Sequence, residues 1–226
     1  MKALIVCTNH VTFPNKPNKT GLWLSELTHF CEVLDRHRIM YDLVSPLGGA
    51  IPIDERSLDL KDESNEKYYG DEAFRQRLET SLKPSDVEAK NYRLIYFAGG
   101  HGTMWDFPDN AELQELTKVI YENFGTVAAV AHGVSALLNV RLSEGSRLID
   151  DKYLTAFSNL EETLSSMASE VPFSLEDQLR ENGAHFTKTM IPFTQYIEMD
   201  ERLVTGQNPA SAKKIAKKLV EELIEK

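Results

Sequence analysis

Residues 126–138 carry the pattern of a reactive site, but the reactive group itself is absent. The apolar run at 126–130 (TVAAV), made of small and β-branched residues, predicts a strand covered on both faces. Ala131, His132 and Gly133 follow it and predict a tight turn into a helix, where backbone N–H groups can bind an anion. Such turns hold nucleophiles at the edge of a sheet. The central residue here, Ala131, has no reactive group.

A glycine-rich segment follows an earlier predicted strand. Residues 98–102 (AGGHG) come directly after the strand at 94–97, and glycines let a backbone approach a small ligand closely. Glycine turns after strands are equally common in purely structural roles, so both interpretations stay open. The spacing is neither G-x-G-x-x-G nor that of a Walker loop, which disfavours a nucleotide cofactor.

Two acid and base candidates have simpler interpretations beside the catalytic ones. Glu26 on a predicted helix would ordinarily face solvent, and His132 could equally be a core histidine. Trp105 and Phe107 either line a pocket mouth or pack in the core. The other histidines show no metal-ligand spacing, so we predict no metal and no cofactor. They are His10, His29, His37 and His185.

The two cysteines, Cys7 and Cys31, lie in apolar surroundings. Packed thiols are therefore expected rather than a disulfide, and Cys7 is expected to be a small core residue, not a substitute nucleophile. Free, buried cysteines favour a reducing compartment, so a cytoplasmic location is predicted.

Alternating strands and helices must position these residues. Strands are predicted at 3–7, 41–45, 94–97, 126–130 and 203–206. Helices are predicted at 23–35, 71–82, 111–121, 160–168, 175–182 and 210–225, the last amphipathic through Ile215, Leu219, Val220 and Leu223. The alternation predicts an α/β fold, a mostly parallel central sheet with helices on both faces, as one domain at 1–226. The polar segment 51–90 is interpreted as a surface excursion.

Composition excludes several classes of protein. The 226 residues carry a formal net charge of −10, and the isoelectric point is near 5.1. This charge argues against a nucleic acid or an anionic membrane as partner. No run approaches the roughly 18 apolar residues of a membrane span.

Four motifs together resemble the ThiJ/PfpI superfamily, and within it the glutathione-independent glyoxalase III and chaperone branch. They are 20–27 (TGLWLSEL), 97–108 (FAGGHGTMWDFP), the turn at 131, and 202–211 (RLVTGQNPAS), in the family's order and over nearly the whole chain. The resemblance implies a flavodoxin-like α/β sandwich. It also implies that the nucleophilic cysteine of the family is replaced by Ala131.

Several site residues are carried over from this resemblance. Glu26 corresponds to the buried acid that hydrogen-bonds the cysteine sulfur, and His132 to the histidine beside the nucleophile. Glu162 corresponds to the acidic partner, although the neighbouring Glu161 remains an alternative. The backbone of Gly99, Gly100 and His132 would form the oxyanion site, with His101 and Trp105 as further substrate-binding residues.

The implied activity is conversion of small reactive aldehydes, the 2-oxoaldehydes methylglyoxal and glyoxal, to 2-hydroxy acids, with a deglycase activity beside it. Ala131 would disable it. An engineered Cys→Ala replacement is favoured over a natural one because the partner residues are intact. Two alternatives stay open: a stress holdase chaperone or natural pseudoenzyme that binds unfolded client proteins, and an amidotransferase-like or peptidase relative. A homodimer is also expected.

Overall fold

The structure, a computed structural model, describes residues 2–224. Within this range a six-stranded sheet has the order β2-β1-β3-β4-β8-β7, and a separate two-stranded sheet pairs β5 with β6. The strands are β1 Lys2–Val6, β2 Met40–Val44, β3 Leu94–Phe97, β4 Thr126–Val130, β5 Tyr153–Leu154, β6 His185–Phe186, β7 Ile197–Asp200 and β8 Leu203–Gly206. Only β7 runs antiparallel to its neighbour in the large sheet. The predicted flavodoxin-like α/β fold is confirmed.

Helices cover both faces of the large sheet. They are α1 Leu24–Arg36, α2 Glu63–Gly70, α3 Glu72–Glu79, α4 Thr103–Asp106, α5 Ala111–Glu122, α6 Asn159–Leu164, α7 Leu175–Glu181 and α8 Ala212–Ile224. Helices α1, α3 and α8 contribute to the core on one face, and α5 and α7 to the core on the other. Among residues 2–224, no helix is long and apolar enough to cross a membrane.

Alternation along the strands builds these two cores. In β4, Ala128 and Val130 point into the core beside α1 and α8, whereas Val127 and Ala129 point into the core beside α5. These four residues are fully buried. Because β4 lies between β3 and β8 and is covered on both faces, its composition of small and β-branched residues is the one such a strand needs.

The structure corrects several predicted elements. The helix expected at 160–168 ends at Leu164, because Ser166 takes a left-handed backbone with φ of 58°. The last helix begins at Ala212, after a 3₁₀ turn at Pro209–Ser211. Glu225 and the side chain of Leu223, both assigned to this helix, lie outside the described residues.

Three strands have no counterpart in the prediction. The edge strand β7 (IEMD) is half-buried throughout, so its hydrophobic alternation is too weak to mark it. Strands β5 and β6 have two residues each, below the length at which periodicity can be detected.

Candidate active site

The chain turns sharply where β4 ends, at the position predicted for a nucleophile. Val130 is still extended, but Ala131 has a φ of 49° in the left-handed region and is 1% exposed. A non-glycine residue held there costs about 1–3 kcal/mol and is typical of functional sites. The residues that follow, Ala131–Leu137, form a 3₁₀ helix.

Gly133 makes this turn possible by packing against the end of β3. A Cβ at Gly133 would lie 2.5 Å from the carbonyl oxygen of Phe97. The glycine therefore lets the turn pass directly beside the neighbouring strand.

Glu26 on α1 is buried at the same end of the sheet. Its side chain is 1% exposed, and Oε2 accepts a hydrogen bond of 2.6 Å from the backbone N–H of Gly99. Burial raises the pKa of Glu26 well above its ordinary value, and the Gly99 hydrogen bond only partly opposes this. Burial therefore favours the protonated carboxyl, the form that can donate a proton into the site.

This hydrogen bond corrects one assignment made from the resemblance. The N–H of Gly99 is donated to Glu26, so it is not available to an oxyanion. Gly100 and His132 remain as backbone candidates. Gly100 has a φ of 113°, and a Cβ there would lie 2.1 Å from the carbonyl oxygen of Gly21, so no other residue fits this turn.

Glu162 on α6 binds two histidines at once. His101 Nε2 lies 2.8 Å from its Oε1, and His132 Nε2 lies 2.7 Å from its Oε2. Burial would raise the pKa of Glu162, but the attraction of His132 and the hydrogen bonds from both rings outweigh it and hold this pKa well below the ordinary range. An ionised carboxylate only accepts hydrogen bonds, so both Nε2 atoms donate to it.

The neighbouring acid, Glu161, faces a different environment. Its Oε2 accepts hydrogen bonds from the backbone N–H and the hydroxyl of Ser158, which closes the capping box of α6. Its Oε1 accepts from Asn208 Nδ2 at 2.9 Å and from the N–H of Phe193 at 2.8 Å. Glu161 thus fixes two loops, and Glu162 is the acid that reaches the histidines.

His101, His132 and Glu162 converge although their sequence spacing gave no sign of it. One nitrogen or oxygen from each lies within 4.8 Å of the others, a separation that would suit a divalent cation. However, the same atoms are engaged in hydrogen bonds to one another, and His101 Nδ1 lies 3.2 Å from the guanidinium of Arg56. That contact requires a lone pair on Nδ1, which leaves the ring proton on Nε2. We therefore interpret the cluster as a hydrogen-bonded relay.

These groups surround a small cavity of about 120 Å³. Its lining comprises Trp23, Glu26, Arg56, Gly100, His101, Ala131, His132, Phe157, Ser165, Phe193 and Pro209. Trp105, assigned to substrate binding, is not among them, because it stacks on His10 with ring centroids 4.6 Å apart. Phe107 is fully buried in the core against Phe97.

Neither cysteine offers a substitute nucleophile. Cys7 and Cys31 are free and fully buried. Burial raises the pKa of Cys7 well above its ordinary value, and it raises the pKa of Cys31 to about 12. Both thiols therefore stay protonated and unreactive at neutral pH.

The fold is that of the DJ-1/PfpI family. The family model matches residues 21–222, and the chain belongs to this family. The resemblance to the ThiJ/PfpI superfamily is thereby confirmed.

Individual relatives refine this placement. The glutathione-independent glyoxalase HSP31 of Saccharomyces cerevisiae is 31% identical over 98% of this chain and 98% of its own length. The X-ray structure of Rapid Encystment Protein 24 KDa from Francisella tularensis superposes with a TM-score of 0.94, at 42% identity and 98% coverage of both chains. The crystal structure of glyoxalase III from Candida albicans superposes with a TM-score of 0.89, at 26% identity over 98% of this chain and 96% of that one.

Arg56 is the charged cavity residue that sequence reasoning missed, and the uncharged Ser165, Phe193 and Pro209 were not predicted either. Arg56 lies in the polar segment 51–90, where one arginine among many charged residues gives no signal. The fully buried Asp54 forms an ion pair with the guanidinium of Arg56.

Proposed function

We propose that this chain carries a glyoxalase III-type site that the alanine at position 131 disables. The observation that carries the proposal is the convergence of the buried acid Glu26, the left-handed residue 131 and the Glu162-bound His132 on one cavity. The glyoxalase names of the HSP31 and Candida albicans relatives support a 2-oxoaldehyde as the substrate class.

The geometry supports a sequence of proton transfers around a thiol at position 131. His132, oriented by Glu162, would accept the thiol proton, and the thiolate would add to the aldehyde carbon to give a hemithioacetal. The proton that the aldehyde carbon loses would reach the neighbouring carbonyl carbon, and the hydroxyl proton would move from one oxygen to the other, with His132 as the accepting group and Glu26 as the donating group. Return of a proton from His132 to Glu26 would restore both groups and leave a thioester of the 2-hydroxy acid. Water would then release the acid and regenerate the thiol, so the net change is addition of one water.

Without a thiol the first bond cannot form. Removing a nucleophile from a site of this kind costs on the order of 10⁴ to 10⁶ in kcat. We therefore expect the chain with Ala131 to bind a small aldehyde in the cavity but not to turn it over.

Restoring the thiol tests the proposal. Ala131→Cys should convert methylglyoxal to lactate and glyoxal to glycolate without glutathione, and the parent chain should not. Ala131→Ser is the matched control, since it adds a group of similar size that is a poor nucleophile. A folded Ala131→Cys protein without turnover would refute the proposal, and so would equal turnover by the parent.

A holdase chaperone is a second candidate, favoured by an exposed apolar surface beside the cavity. Its side chains are 47% to 95% exposed and belong to Leu160, Leu164, Met190, Ile191 and Phe193. The hydrogen bond from the N–H of Phe193 to Glu161 joins the two segments that carry them. Exposed apolar surface of this kind can capture partly unfolded chains.

This candidate predicts suppression of client aggregation that does not depend on residue 131. The double substitution Met190→Ser and Ile191→Ser should abolish it. Met40→Ser is the control, because Met40 is also 66% exposed but lies on the edge strand β2. Equal suppression by both variants would reject a role for this surface.

Three further features remain part of the proposal. A deglycase activity would use the same cavity, and Ala131→Cys assayed on glycated amines tests it. A cytoplasmic location and a homodimer are expected as before, and sedimentation of the purified chain tests the dimer. The amidotransferase or peptidase alternative stays open, and assays for glutaminase and peptidase activity on the Ala131→Cys protein test it.

A further inference from the structure

A chain of hydrogen bonds extends behind the two histidines. Arg56 Nε and Nη2 donate to the two oxygens of the fully buried Asp54, at 2.9 and 2.6 Å. The same Nη2 donates to His101 Nδ1 at 3.2 Å, and His101 Nε2 donates to Glu162. His132 occupies the other oxygen of Glu162.

We propose that Arg56, anchored by Asp54, is a positioning residue that keeps His101 neutral with its proton on Nε2. The negative charge of Glu162 then stabilises a proton on His132 rather than one on His101. This inference deepens the proposed function and rests on it where catalysis is concerned.

The first step of the argument is that Glu162 is shared. A carboxylate between two imidazoles pairs with whichever ring takes a proton, and the protonation of one ring opposes that of the other. If His101 became an imidazolium, it would neutralise Glu162 and leave His132 a weaker base. A site that uses His132 to accept a proton therefore needs a neighbouring group that keeps His101 neutral.

Arg56 disfavours protonation of His101 in two ways. Its N–H points at the lone pair of His101 Nδ1, the atom that would have to take the second proton. Its positive charge also opposes that of an imidazolium. Burial, with the repulsion of His132 and Arg56 added, lowers the pKa of His101 to about 4.

The groups around His101 come from several elements. The titratable and charged groups that act on it are Glu162 on α6, His132 on the 3₁₀ helix at Ala131–Leu137 and Arg56 on the 3₁₀ helix at Glu55–Ser57. Its remaining ring neighbours are Phe13 and Phe157, at 5.8 and 6.3 Å between centroids.

Arg56 is itself fixed in place, as a positioning residue must be. Besides the two bonds to Asp54, its guanidinium lies 5.3 Å from the ring centroid of Phe13 and 5.9 Å from that of Trp23. Aromatic rings on a guanidinium and a buried bidentate carboxylate together restrict it to one orientation.

The first experiment needs no catalysis and uses the Ala131 chain as it is. Imidazole ¹⁵N spectra recorded from pH 5 to 8 report the tautomer and the protonation of each histidine. In the parent, His101 should stay neutral with its proton on Nε2 throughout. In Arg56→Met the midpoint for protonation of His101 should rise above its parent value near 4, so that protonated His101 becomes detectable at the acid end of this range.

Two variants control this measurement. Arg56→Lys keeps a charged donor and should restore the parent behaviour. Arg180→Met removes an arginine from another buried carboxylate, Glu176, and should leave His101 unchanged. A His101 spectrum in Arg56→Met that matches the parent at every pH would overturn the proposal. If Arg56→Met does not fold, Arg56→Gln, which also removes the positive charge, should raise the protonation midpoint of His101 as well, and an unchanged midpoint there would equally overturn the proposal.

The second experiment links the relay to chemistry. In the Ala131→Cys background, Arg56→Met should lower kcat about tenfold or more, with KM changed less than about twofold, and the low-pH limb of the rate profile should move upward. If Ala131→Cys shows no turnover, the proposed function fails while the spectra still decide this inference. If turnover is present and Arg56→Met changes neither kcat nor the profile, the positioning role fails.

Discussion

The carboxyl of Glu26 and the backbone N–H of Gly99 form a buried hydrogen bond of 2.6 Å that joins α1 to the turn after β3. The contact is this short because residue 99 lacks a side chain. A Cβ there would lie 2.5 Å from Glu26 Oε2 and 2.7 Å from the carbonyl oxygen of Val130. The glycine and the acid are therefore one structural unit at the end of the central strand.

Replacing Gly99 should break this unit. Gly99→Ala must push either the carboxyl or the backbone of β4, so we expect a loss of about 1–3 kcal/mol in the free energy of unfolding, measured with urea. Gly70→Ala is the control, because nothing lies within 4 Å of a Cβ there and its φ is not positive. Equal stability of Gly99→Ala and the parent would contradict the close approach.

The buried acid should make stability depend on pH. The folded-state pKa of Glu26 is raised above its unfolded value near 4.3, so between the two values the folded chain keeps a proton that the unfolded chain releases. The free energy of unfolding therefore falls as pH rises above about 4.3, by up to about 1.4 kcal/mol per unit. Glu26→Gln removes this pH-dependent component, so the stability of the variant relative to the parent should improve as pH rises above 5, until the folded-state pKa of Glu26 is passed.

Glu32 provides the control on the same helix. The hydrogen bond from Lys213 is the largest cause that lowers the pKa of Glu32 to about 2. The ionised Glu32 therefore stabilises the folded chain above about pH 4.3, and this stabilisation is lost as pH falls towards 2. Glu32→Gln should therefore show no trend between pH 5 and 8. Parallel stability curves for Glu26→Gln and the parent over that range would mean that Glu26 ionises freely in the folded state.

The sequence predicts the sheet better than the site. Strands β3, β4 and β8 have the predicted bounds, because a buried parallel strand appears in the sequence as an apolar run between turn residues. Glu26 carries no local sign of burial, since its acidity within an amphipathic helix is typical of a solvated face, and only the family resemblance singled it out. Arg56 acts through contacts between segments that are far apart in sequence, which periodicity cannot report.

The two neighbouring acids on α6 should respond differently to the same change. Glu161→Gln places an amide donor among the N–H and O–H groups that donate to Glu161, and should cost about 1–3 kcal/mol of stability. Glu162→Gln should instead lower turnover in the Ala131→Cys background, because a neutral amide cannot stabilise a protonated His132. Urea unfolding and methylglyoxal kinetics on both variants separate the roles, and the reverse pattern would exchange them.

Thiol labelling should distinguish the core cysteines from a restored nucleophile. In the native Ala131 chain, Cys7 and Cys31 should react with an aromatic disulfide only at the rate of unfolding, because both are fully buried. Ala131→Cys should add one fast-reacting thiol whose rate stays high below pH 8. Rapid labelling of the parent would mean that Cys7 is accessible, and it would reopen the question of a substitute nucleophile.

The role of Glu26 in chemistry can be separated from its role in the fold. Glu26 and residue 131 line the same cavity, so in an Ala131→Cys protein the buried carboxyl of Glu26 is placed to donate a proton to a 2-oxoaldehyde bound at the thiol. Glu26→Gln keeps an oxygen for the N–H of Gly99 but has no acidic proton. We therefore expect the double variant to fold, to form the hemithioacetal with methylglyoxal, and to lose turnover by about 10² or more. Adduct formation followed by mass spectrometry and lactate release are the two measurements. Retention of full turnover would show that another group, or solvent, moves the proton, and loss of both adduct and turnover would place Glu26 in activation of the thiol.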